Sequence, residues 1–152
     1  MSWRAAPAAQ AAVGLVLGLW LGAASAVDEA PPSPGDRHSA ECVAALEALS
    51  EALALRIKAG QGDLRPQLLS HLEQGAAFIG AAYLNGERDE ARSRALLDAA
   101  RERQTALSAA ELAQRQALCA DEASNLLAEA SALGRAVVGR LARRQMDKLL
   151  DR

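Results

Sequence analysis

Phe, Tyr and Trp are nearly absent from this chain of 152 residues. Trp3 and Trp20 fall within the first 26 positions, which leaves Phe78 and Tyr83 alone in the remainder. A core short of rings must be built from Leu, Val, Ile and Ala, and each contact then buries little apolar area. β-Branched residues are also few, which argues against a strand-rich fold. Ala and Leu, the strongest helix formers, dominate instead. The longest apolar stretch is about 14 to 16 residues, short of the ~20 that cross a bilayer.

The motifs of common chemistries are missing too. The chain has no G-x-S-x-G, no Gly-rich phosphate loop, no H-E-x-x-H and no C-x-x-C. With two histidines and two cysteines, no His₂Cys₂-type zinc spacing exists. Met1 and Met146 cannot form a Met-rich copper site. Formal net charge is −2, and −3 without residues 1–26, whose only charge before Val27 is Arg4. Such a mild acidic balance excludes a general nucleic-acid binder. No catalytic residue, metal ligand or cofactor is assigned.

What is present begins with an export pattern. Arg4 is a positive n-region, Ala11 to Leu21 an apolar h-region, and Ala24-Ser25-Ala26 a small-x-small cleavage motif. Residues 1–26 read as a cleavable signal peptide with a mature start near Val27. No Cys follows the h-region, so a lipoprotein anchor is not expected. The Ala- and Arg-rich, Lys-poor composition suggests a bacterial periplasm, with extracellular space as the alternative. Residues 27–38 carry Pro31, Pro32 and Pro34 beside Gly35 and Asp36, and read as a flexible tether.

Residues 39–152 predict an all-α domain, a small antiparallel bundle of about four helices with a long C-terminal helix. The first helix is expected from Ser39 to Ala59, with Cys42, Leu46, Leu49, Leu53 and Ile57 on one face. The second is expected after Asp63 as N-cap, with Pro66 in its first turn, and ends at Asn85-Gly86. Gly75 and Gly80 within it suggest a close backbone approach. The third is expected from Glu87 to Ala106. The fourth opens on a capping box, Ser108 with Glu111. Leu112, Cys119, Leu126 and Leu133 then repeat every seven residues, with Ala123, Ala130 and Val137 between them, as in a coiled-coil seam. This helix could reach Leu150, overhanging the bundle, or break near Gly134 or Gly139.

Cys42 and Cys119 both lie on apolar stripes, and export favours pairing them in a disulfide. A simple bundle offsets them by roughly 8 Å along the axis at ~1.5 Å per residue, so an intermolecular bond stays open. His38 and Cys42, with Asp36 and Glu41 nearby, offer at most a partial metal site, and a solvated His38 is the simpler reading. His71 reads as a boundary residue.

The last stretch is basic. Arg135, Arg140, Arg143, Arg144 and Lys148 stand among Val137, Val138, Leu141, Met146, Leu149 and Leu150. Cations at a helix C-terminus suit its dipole. The same residues suit contact with an envelope protein partner, a second copy or an anionic membrane surface. The sequence therefore favours a non-enzymatic, exported interaction or structural protein. A helical enzyme with an Arg-lined site (Arg56, Lys58, Arg92, Arg94, with His71) is the alternative, and a metal or stress sensor a further one.

Overall fold

A computed structural model of the chain describes residues 31–86 and 89–152; the signal peptide expected over 1–26 and the first part of the expected tether lie outside them. The described residues form five α-helices and one short 3₁₀ turn, with no strand among them. These are α1 (Pro34–Lys58), the 3₁₀ turn Gly62–Leu64, α2 (Arg65–Leu84), α3 (Glu90–Thr105), α4 (Ala109–Glu129) and α5 (Ala132–Asp151).

The first helix starts at Pro34 and not at Ser39, so the tether as expected over 27–38 is too long. Ser33 is extended and forms a capping box with Asp36: each backbone N–H donates to the other's side-chain oxygen at 3.0 Å. Proline at the first helical position costs nothing, because its missing N–H would have had no helical partner. Pro34 thus starts α1 where the proline run was expected to lie in a flexible tether. The two Ser33 bonds hold the Asp36 carboxyl below its usual range.

Asp63 does not cap α2; Leu64 is the N-cap residue and no side chain bonds there. Asp89 caps α3 by accepting from the Arg92 N–H at 3.0 Å. At α4 the Ser108–Glu111 capping box forms as expected. Gly60 and Gly86 follow α1 and α2 with φ of +105° and +102°, a region that disfavours other residues. A Cβ at Gly75 or Gly80 would meet nothing within 4 Å, so the close approach expected there does not occur.

The fold is all-α and closes on a long helix, α5, as expected; of the two courses the sequence left open after Ser108, the chain takes the break near Gly134. Glu129 ends α4, Ala130 turns to extended backbone, and Ser131 caps α5 by accepting from the Gly134 N–H at 3.0 Å. Arg135 reaches back to donate to the Ala130 carbonyl. The break lies three residues before Gly134, set by a serine cap rather than by glycine flexibility. The seam stops with it: Leu133 and Val137 are exposed. In place of an overhang, α5 folds back and buries Gly139, Ala142 and Leu149.

Two clusters make the core. Cys42, Leu46, Phe78, Cys119 and Ala123 join α1, α2 and α4. Leu53, Ala54, Ile57, Leu68 and Leu149 join α1, α2 and α5. Leu46 shares a cluster with Phe78, and Ile57 shares one with Leu68, so α1 and α2 run in opposite directions. The small helix α3 buries only Ala100 and is held to α1 by charge. Arg101 grips both Glu47 oxygens, each at 2.8 Å, and Arg103 reaches Glu41 at 3.3 Å.

Candidate functional site

Two places concentrate chemistry: the corner where α1 meets α4, and the outer face of α5. At the corner, Cys42 and Cys119 form a disulfide with a Cα–Cα distance of 5.2 Å. The 8 Å offset does not arise, because α4 starts short of the C-terminal end of α1. Cys42 pairs with Cys119 and His38 with Glu122, which sets the first turn of α4 near Glu51 rather than Ala59.

His38 and Glu122 stand one helical turn beyond the two cysteines. The imidazole Nε2 lies 2.7 Å from Glu122 Oε2 and 3.8 Å from Cys42 Sγ. The His38 ring meets Phe78 edge-on, with centroids 6.3 Å apart, which orients it over the disulfide. Both sulfurs are buried, yet Cys42 and Cys119 line a cleft of about 340 Å³ together with His38, Arg115 and Leu118. His38 and its partner Glu122 are about half exposed.

The acids expected near His38 are occupied elsewhere. Asp36 belongs to the α1 capping box, and Glu41 pairs with Arg103 and Arg115. The missed partner is Glu122. Its signal was the spacing: Cys119-x-x-Glu122 on one helix mirrors His38-x-x-x-Cys42 on the other, and a disulfide aligns the two.

The residues of an Arg-lined enzyme site do not converge. Arg56 donates to Gln61 at the C-terminal end of α1. Arg92 lines a cleft of about 470 Å³ at the opposite end, with Asp36, Ser39 and Asp89. Arg94 pairs with Glu90 on α3. His71 meets Gln74, whose amide donates to the Ala120 carbonyl and so ties α2 to α4. His71 is thus a boundary residue, half-buried.

On α5 the five expected contact residues separate into two sets. Arg135 is bound to the Ala130 carbonyl, and Arg143 lies beside Gly139 and Glu73 on the side that packs on α2. All five are exposed, and helical spacing sets Arg140, Arg144 and Lys148 on one stripe with Leu133, Val137 and Leu141. Those three apolar residues are 75%, 50% and 52% exposed. Asp147 and Asp151 flank the stripe and are exposed as well. No described helix is long and apolar enough to cross a membrane. No family model, curated protein or solved structure matches the chain, so its chemistry is read from its own residues.

Proposed function

We propose that this chain is an exported, periplasmic, non-enzymatic interaction protein that docks through the outer face of α5 onto an acidic protein partner. One observation carries the reading: Leu133, Val137 and Leu141 stand exposed in line with Arg140, Arg144 and Lys148, on a helix whose opposite face is buried. Apolar residues give such a face affinity, and cations at its edge give orientation and partner choice. A protein partner is favoured over lipid because Asp147 and Asp151 share the face. A plane of anionic headgroups would repel both acids, whereas a structured surface can pair with each. The stripe also lacks the aromatic residues that anchor helices at a bilayer interface. The internal disulfide and the signal-like residues 1–26 support export.

The test is a photo-crosslinking residue introduced at Val137 in producing cells, with Leu55 as the control position. The expected result is one crosslinked partner at Val137, absent at Leu55 and lost with Arg140→Glu plus Arg144→Glu. Equal crosslinking at both positions, crosslinking only to a second copy, or charge-dependent binding of the purified chain to anionic vesicles would overturn the reading. Export is checked by the mass of the chain recovered from the periplasm, which should begin at Val27.

A further inference from the structure

His38, Cys42 and Glu122 bring three ligand atoms within 4.8 Å of one another, and the disulfide adds Cys119 beside them. We propose that reducing the Cys42–Cys119 bond turns this corner into a four-ligand Zn(II) site, made of His38 Nε2, the two thiolates and Glu122 Oε2. The disulfide and the metal site are mutually exclusive states of the same residues.

The geometry is close to what zinc needs. Zinc bonds sulfur at ~2.3 Å and nitrogen or oxygen at ~2.0–2.2 Å in a tetrahedron, which sets ligand atoms roughly 3.3–3.8 Å apart. His38 Nε2 and Cys42 Sγ are already 3.8 Å apart. His38 Nε2 and Glu122 Oε2, at 2.7 Å, must open by a few tenths of an ångström to about 0.7 Å. Both side chains are about half exposed, which leaves them room to rotate. Phe78, Leu46 and Ala123 pack with both cysteines and give α1 and α4 a shared core besides the covalent bond. Two thiolates, one imidazole and one carboxylate form a borderline-soft set suited to zinc. Arg115, Glu41 and Glu111 line the same cleft, and Arg115 already pairs with Glu41.

The redox step balances with a dithiol reductant. Its two thiols become a disulfide, and the Cys42–Cys119 bond takes up the two electrons and two protons as a pair of thiols. Zinc then binds both sulfurs as thiolates and releases those two protons to water. In the oxidised chain the sulfurs are consumed, and only His38 and Glu122 remain to hold a cation.

The experiment uses the purified chain under anaerobic conditions, oxidised and after phosphine reduction, titrated with Co(II) and then Zn(II). The expected result is one cobalt per reduced chain, with the intense visible bands of a tetrahedral site, thiolate charge-transfer absorption, and displacement by zinc. His38→Ala and Glu122→Gln should each weaken binding by about tenfold or more while the oxidised variants keep native helicity by circular dichroism. Binding by the oxidised chain as tight as by the reduced one would overturn the proposal. So would a pale six-coordinate spectrum, or affinity indifferent to both substitutions. A reduced chain that loses its helicity and does not regain it with metal would overturn it equally.

Discussion

Phe78 is the perturbation that most directly tests how this ring-poor core is held. Its side chain is 1% exposed and packs among Cys42, Leu46, Cys119 and Ala123. Phe-to-Ala changes in a core cost about 3–5 kcal/mol, more where the walls cannot relax into the space. Here two walls are joined by a disulfide and a third is an alanine on a helix backbone, so Phe78→Ala should cost about 4–5 kcal/mol. Phe78→Leu keeps much of the volume and should cost about 1–2 kcal/mol. Ile79→Ala is the internal control: Ile79 is next in sequence and 59% exposed, and its loss should fall within about 0.5 kcal/mol. Urea unfolding followed by far-ultraviolet circular dichroism is the assay, since Trp3 and Trp20 both lie outside the described helices. At a slope of ~2 kcal/mol per molar urea, Phe78→Ala should lower the midpoint by about 2 M. A cost below about 1.5 kcal/mol for Phe78→Ala, or equal costs at 78 and 79, would refute the assignment of the core to this cluster.

The two capping boxes predict an acid limb. Serine hydrogen bonds hold Asp36 and Glu111 below their ordinary values of 3.8 and 4.5. Such a lowering stabilises the fold in full above the ordinary values, and the contribution is lost as pH falls through the depressed ones, so Ser33→Ala and Ser108→Ala should flatten the fall of stability with pH in the acid range. Each should also cost about 1 kcal/mol at neutral pH. Arg101→Ala removes the bidentate grip of α3 on α1. The pair is partly exposed, so the global cost should stay below about 1 kcal/mol, but amide exchange should quicken in α3 and not in α1, the more so at low salt. Gly75→Ala should raise stability by about 0.5–1 kcal/mol, because its Cβ meets nothing. Gly60→Ala should lower it by about 1 kcal/mol or more, because φ is +105°. Equal thermal shifts for the two glycines would contradict this.

The helical class was legible because Leu and Ala recur at 3.6-residue spacing and β-branched residues are rare. The disulfide was legible from stripe position. Element ends were less so, for local reasons. A proline run reads as a helix breaker, but a capping serine one residue earlier makes its last proline a helix start. The Leu112-to-Leu133 repeat left open whether the helix runs on or breaks near Gly134, because repeat alone does not reveal that Ser131 prefers its own cap over another helical turn. That one residue redirects α5 onto α2 and decides which cations face out. Glu122 escaped notice because its value depends on a register between α1 and α4 that sequence spacing within either helix does not contain.

The disulfide also sets how the molecule answers to force. Tension applied at the two ends passes from α1 through Cys42 to Cys119 and onward, bypassing the segment between them, a sequence separation of 77. At ~3.3–3.6 Å per extended residue, about 250 Å of chain is shielded from stretching. Pulling on an oxidised molecule can peel away α5 and the ends of α1 and α4, while α2 and α3 carry no load. Force on α5 is thus met at the bond, and the helices behind it are not drawn out while it stays closed.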